Sequence, residues 1–252
     1  MSRLHVLIPG GTGGIGLALA RRLVTHGHAV GLFARDGAKL EAAVAELGSA
    51  AIAIAGDARE EADCQRAVAT MLETYGALDG VAHAIGSIVL RPLHLTRLED
   101  LQAALDVNVR TLFLVMKACL KPMMDRKSGS IVAFGSVAGQ TGLSNHEAIA
   151  AAKAAVAGMV RSAAITYAPY GIRANTIAPG LVDTPLAAPI TRSAPARSAS
   201  EAMHPLGRIG TPDEVASLAE WLLGPDSAWM TGQVLGLDGG MSAGAMPPRR
   251  PG

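Results

Sequence analysis

Residues 146–160, HEAIAAAKAAVAGMV, hold a single lysine in an otherwise apolar helical segment. His146, Ile149, Lys153, Val156 and Val160 follow one another at spacings of 3, 4, 3 and 4, which places their side chains on one helical face. Lysine is almost never buried unpaired. The stripe therefore either faces solvent while the alanines make the core, or carries its ammonium to a partner or a reaction. His146 is a second group on that face able to move a proton, about 10 Å nearer the helix start.

A second chemical feature is PGGTGGIG at 9–16, which follows the apolar LHVLIP and precedes the helical LALARRLVTHG. Gly10 permits the turn, Gly14 lets backbone approach a phosphate, and Gly16 permits close helix packing. Phosphate charge then meets a helix N-terminus. The placement after the first strand points to a bound dinucleotide.

The elements that must position these groups are short apolar runs at 4–9, 28–34, 50–55, 79–85, 129–135, 172–178 and 232–238, separated by helical stretches. Continuous rather than alternating apolarity means both faces are covered, as in a parallel sheet between helix layers. The pattern predicts an α/β, doubly wound Rossmann fold with a seven-stranded parallel sheet. One domain is expected over 1–240, with a loose tail at 241–252. Residues 186–206, rich in Ala, Ser and Pro, lack periodicity and read as a mobile loop over a site. Its basic residues are Arg192 and Arg197.

Half of the residues are hydrophobic but only 3% are aromatic, so the core must be built from Ala, Val, Leu and Ile. Lysine plus arginine (22) nearly balances aspartate plus glutamate (21), which gives no electrostatic case for nucleic acid or an anionic membrane surface. Cys64 and Cys119 are far apart with no C-x-x-C, so neither a disulfide framework nor a metal site is expected. Lys153 interrupts the best candidate for a membrane span, and the start is too short in apolar residues for a signal peptide. A cytoplasmic chain with small-molecule partners is the expectation.

The spacing G-x-x-x-G-x-G at 10–16 is joined by Asp57 after the third strand, HAIG at 83–86, Asn108 in DVNVRTLF and GSVAG at 135–139. The Lys153 helix, NTIAPGLVDTP at 175–185 and PLGRIGTPDEVA leading to TGQVLGLDGG complete the set. Together they resemble the short-chain dehydrogenase/reductase family. The resemblance implies hydride transfer between a nicotinamide and a carbonyl or carbinol carbon, with a tyrosine hydroxyl moving the proton. It also implies that Lys153 holds the nicotinamide ribose, Ser136 hydrogen-bonds the substrate oxygen, and Asn108 holds a water near the lysine. The cofactor would lie on Gly10, Thr12, Gly13, Gly14, Ile15, Gly16, Arg35, Asp57, Ala58, Ala84, Ile85, Gly86, Lys153, Pro179, Gly180, Val182 and Thr184.

The tyrosine is missing. Four residues before Lys153 stands Ile149, and Tyr75, Tyr167 and Tyr170 lie elsewhere. Enoyl thioester reductases, a branch of the family, place it seven residues before the lysine, where this chain has His146. His146 is the candidate substitute, and a water held by Asn108 and Lys153 the alternative. At the end of the second strand, Ala34 occupies the position of an NAD-selecting acid and Arg35 follows, which favours NADP(H) over NAD(H). Asp36 precedes GAKLEAAVAEL and reads as a helix cap.

Two functions follow as expectations. One is an NADP(H)-dependent oxidoreductase with a non-standard proton donor, acting on a small or apolar carbonyl, hydroxyl or activated alkene. The other is a catalytically impaired dinucleotide-binding protein serving as sensor or partner subunit. The resemblance and the small residues Ala148, Ala151, Ala152, Ala155 and Gly158 imply a homotetramer or homodimer.

Overall fold

The structure is a computed structural model and describes residues 3–244. Seven strands, β1 (His5–Pro9), β2 (Ala29–Ala34), β3 (Ala51–Ala55), β4 (Gly80–His83), β5 (Gly129–Phe134), β6 (Ile172–Pro179) and β7 (Val234–Leu237), form one sheet. Every pairing is parallel, and the order is β3-β2-β1-β4-β5-β6-β7. Order reverses between β1 and β4, so the crevice of a doubly wound sheet opens above their carboxyl ends. β4 is shorter than the apolar run at 79–85, because Ala84–Gly86 leave the sheet to line that crevice.

Successive strand residues point to opposite faces, and each face has its own core. Leu7, Val81 and Ile131 pack with α3 (Glu61–Tyr75), α5 (Thr111–Arg126) and α6 (Glu147–Tyr167). Val6, Ile8, Ala82 and Val132 pack with α1 (Gly14–Thr25), α2 (Gly37–Leu47) and α9 (Pro212–Leu223). Asp36 accepts the Lys39 N–H at 3.1 Å and starts α2. Cys64 and Cys119 are free and buried.

The α6 stripe does not face solvent: Ile149, Lys153, Val156 and Val160 are all buried. With the turn that follows it, this helix spans Glu147–Tyr170 at a mean hydropathy of 1.4. By length and composition it is apolar enough to cross a membrane, against the expectation that Lys153 disqualifies it. In this fold its apolar face is covered by the sheet.

The segment 186–206 differs from the irregular loop expected. It holds α7 (Ala188–Thr191) and α8 (Ala194–Ala202). Ser193 caps α8 by accepting the Ala196 N–H at 3.3 Å, and Pro195 sits in the first turn, where its missing N–H costs nothing. The Ser and Pro that suggested a loop are helix-start signals. Of the tail at 241–252, residues 245–252 lie outside the described residues.

Candidate active site

The larger cavity, about 940 Å³, lies over the carboxyl ends of β1, β2 and β4. Gly10 has φ +81°, and a Cβ there would stand 2.7 Å from the Ala84 carbonyl carbon, so the first strand's turn can meet Ala84 only as glycine. A Cβ on Gly14 would stand 2.9 Å from the Thr184 Cβ. Gly13 begins α1 with no side-chain cap, so the first amides of that helix remain for an anion. Thr12, Ile15, Ala58, Ala84, Ile85 and Gly86 complete the wall, while Gly16 packs behind Gly10. This open-amide cradle fits a dinucleotide pyrophosphate.

At the far edge Arg35 is exposed and makes no hydrogen bond or ion pair among the described residues. Lys39 and Arg59 line the same edge, which sequence spacing did not show. Both are engaged: Lys39 lies 3.4 Å from Asp36, and Arg59 lies 2.5 Å from Asp57. The Arg59 guanidinium holds the Asp57 carboxyl below the usual carboxylate range.

A smaller cavity, about 300 Å³, adjoins the cleft and shares Ile15, Ala84, Ile85 and Gly86 with it. Ser136, His146, Ile149 and Lys153 line it, with Pro179, Gly180 and Val182 on the strand β6 side. The Ser136 Oγ accepts the Ala138 N–H at 3.1 Å, which leaves its own hydrogen to donate. Lys153 donates to the Phe134 carbonyl at 2.9 Å, and burial pushes its ammonium down to about 8. His146 is half-buried at the start of α6.

Asn108 does not line this cavity but stands behind Gly86, fully buried. It sits in a π-helical turn (Asp106–Arg110) between α4 (Leu98–Leu105) and α5, and such wide turns re-aim single side chains. Its Nδ2 donates to the Ala104 carbonyl at 2.8 Å and to the Ser87 Oγ at 2.9 Å. Beneath the turn, buried His83 bonds the Thr111 hydroxyl at 2.9 Å, and Thr111 donates to the Val107 carbonyl at 2.6 Å. Burial, then the nearby Lys153 charge, pushes the His83 imidazole down to about 3, so it is neutral.

The lid over the cavity contributes Leu186, Ile190 and Met203. Its arginines do not line it: Arg197 is held by Asp183 at 3.0 Å and Glu201 at 3.1 Å. His204, which the sequence did not single out, donates through Nδ1 to the Ser200 carbonyl at 2.8 Å and accepts the Leu181 N–H at 3.1 Å. It ties α8 to the loop after β6. None of the three tyrosines lines either cavity, and Tyr75 is spent on the Ala50 carbonyl at 3.2 Å.

A parallel doubly wound sheet, an amide cradle at its switch point and a lysine–serine pocket beside that cradle define a dinucleotide-dependent oxidoreductase. Residues 10–242 match the family model described as enoyl-(acyl carrier protein) reductase. The chain is 38% identical over 229 residues to the inactive 2-(S)-hydroxypropyl-CoM dehydrogenase 2 of Xanthobacter autotrophicus, covering 89% of this chain and 100% of that one. It is 37% identical over 247 residues to a 2,5-dichloro-2,5-cyclohexadiene-1,4-diol dehydrogenase of Sphingobium indicum, covering 96% and 98%. An actinorhodin polyketide ketoreductase solved with NADPH superposes at a TM-score of 0.91, with 30% identity over 95% of this chain and 97% of that one. The chain belongs to the short-chain dehydrogenase/reductase family and is a short-chain oxidoreductase.

Proposed function

We propose that the protein is an NADP(H)-dependent oxidoreductase for uncharged, largely apolar substrates bearing a carbonyl, hydroxyl or activated alkene. The observation that carries this is the meeting of Ser136, His146 and Lys153 in one cavity continuous with the glycine-loop cleft. A nicotinamide dinucleotide held in the glycine-loop cleft would supply or take the hydride. Ser136 orients the substrate oxygen, Lys153 holds the nicotinamide ribose, Asn108 fixes the π turn and a water, and His146 moves the proton in place of a tyrosine.

Uncommitted Arg35 beside small Ala34 supports NADP(H). Among the described residues, Lys153 is the only formally charged side chain lining this cavity, which supports an uncharged substrate. The dichlorocyclohexadienediol dehydrogenase and the NADPH-bound ketoreductase support the class. Two free cysteines fit a reducing cytoplasm.

The test is cofactor turnover with a panel of uncharged cyclic alcohols and ketones, beside direct NADPH titration. Turnover with NADP(H) is expected. Tight NADPH binding with no turnover on the panel would favour the second reading, a dinucleotide-binding protein without catalysis. That reading draws on Ile149 in the cavity wall and on a relative named as inactive.

A further inference from the structure

His146 has one ring nitrogen to spare, and which one decides what it can do. Its Nδ1 lies 2.7 Å from the Ser144 carbonyl oxygen. A carbonyl only accepts, so Nδ1 carries the hydrogen, and the neutral ring presents Nε2 as a bare lone pair. The backbone holds this arrangement. Asn145, between the two, adopts the left-handed conformation at φ 65°, which asparagine tolerates. Its carbonyl accepts the Arg91 N–H at 2.8 Å. That bond ties the turn to the loop whose Ile88 and Leu90 line the same cavity.

We propose that His146 is the proton acceptor of this site, acting through Nε2, so that its neutral ring serves the oxidation of a secondary alcohol and only its imidazolium serves the reduction of a ketone. The proposal rests on the oxidoreductase reading and adds to it a role and the form of the ring that each direction needs. In the step, the substrate O–H bond breaks and its proton goes to Nε2. The carbinol C–H electron pair leaves as hydride for the oxidised nicotinamide, and the carbonyl forms between carbon and oxygen. The imidazolium then gives its proton to water at the half-exposed mouth. The alcohol is oxidised, the cofactor reduced and one proton released. Reduction needs the imidazolium, because a neutral ring with its hydrogen on Nδ1 has none to give at Nε2. Ser136 retains a hydrogen to donate to the substrate oxygen throughout.

The charged groups around His146 are few. Lys153 shares the cavity, and Glu147 is exposed on the same helix. The facing loop brings Arg91, which is paired with Asp100 at 3.0 Å. Among the described residues the lid wall carries one titratable side chain, His204, whose Nδ1 donates to the Ser200 carbonyl and whose Nε2 accepts the Leu181 N–H. The titratable groups lining the cavity are therefore His146, Lys153 and His204, and a His146→Gln variant separates the first from the other two.

Long-range proton–nitrogen spectra of the full chain with labelled histidine read the tautomer directly, His146 being identified by its loss in His146→Gln. Hydrogen on Nδ1 is expected with and without NADP+. Hydrogen on Nε2 in the neutral ring would overturn the proposal. Alcohol oxidation should fall toward acid pH, and His146→Gln should lower it by about a hundredfold to ten-thousandfold, remove that acid limb, and leave NADPH affinity and melting temperature unchanged. Oxidation that survives in His146→Gln with its acid limb overturns the proposal alone. A parent chain that binds NADP(H) yet turns over neither alcohols nor ketones overturns the oxidoreductase reading and this proposal with it.

Discussion

Lys153 and Asn108 face each other across Gly86: a Cβ on Gly86 would stand 3.2 Å from the lysine Nζ and 3.3 Å from the asparagine Oδ1. Both polar ends thus crowd the point where a side chain on Gly86, a wall residue common to the two cavities, would stand. Gly86→Ala should displace the lysine end, which is the more flexible neighbour. Turnover is expected to fall at least tenfold while urea unfolding changes by less than about 1 kcal/mol. Unchanged turnover would show that the junction has slack.

Lys153 also makes stability depend on pH. Its ammonium is lowered from 10.5 to about 8 by burial. Below about 8 both folded and unfolded chains carry the charge, and the folded state bears the full penalty of burying it. Between about 8 and 10.5 the unfolded chain binds more protons, so this residue makes stability rise with pH through that window. Lys153→Met, similar in length and uncharged, should stabilise the cofactor-free protein at neutral pH by up to about 3 kcal/mol. The gain should vanish near the upper end of the window. Urea titrations of parent and variant at the two pH extremes check it, and a gain that does not shrink with pH would exclude the burial explanation.

Cofactor choice should hang on Arg35. NADPH is expected to bind about tenfold to a thousandfold more tightly than NADH, and Arg35→Ala should erase most of the difference. Arg59→Ala should do less, since that guanidinium is already engaged by Asp57. Fluorescence titration with both cofactors is the measurement, and tighter NADH binding by the parent would reverse the assignment.

Assembly should bury a stripe on α6. Ala151, Ala155, Gly158 and Ser162 are exposed at spacings of 4, 3 and 4, with Ile165 beyond them 76% exposed. Phe113 on α5 is 52% exposed. Small residues let helices approach closely, and the large apolar ones add area to bury. Light scattering at micromolar protein should find a dimer or tetramer of closed symmetry. Ile165→Glu should shift it toward monomer, and a parent chain that is monomeric would reject the interface.

Ile149 lines the cavity that holds Ser136 and Lys153 and is 4% exposed, one turn before Lys153. Ile149→Tyr places a phenol there and supplies a proton donor for ketone reduction at neutral pH. A gain of about a hundredfold to ten-thousandfold in reduction is expected. Overpacking could cost about 1 to 3 kcal/mol, so melting temperature belongs beside the assay. A folded variant with no gain in reduction would show that the proton donor is not what limits this direction.

Much of this molecule is decided locally and was legible without coordinates. The apolar runs became strands within a few residues of their expected ends, and Asp36 became a cap, because strand apolarity and capping depend on neighbours a few positions away. The glycine loop was legible for the same reason: Gly10 needs a left-handed turn wherever the rest of the chain goes. The α6 spacing put Lys153 and Ile149 on one face, but spacing has no inside or outside, and only the sheet made that face the buried one. The lid showed the limit most plainly. Arg197 is a lid charge whose partner Asp183 only folding brings against it, and His204 gives no signal in the sequence until Leu181 reaches its ring. Lys39 and Arg59 joined Arg35 at one cleft edge because β2 and β3 end side by side. Which nitrogen of His146 is free depends on a backbone reversal at Asn145 and its tie to Arg91. Residue types and short spacings set what groups the chain has to offer. Which of them remain uncommitted is set by contacts between distant segments, and those exist only once the sheet, the helices and the lid have packed.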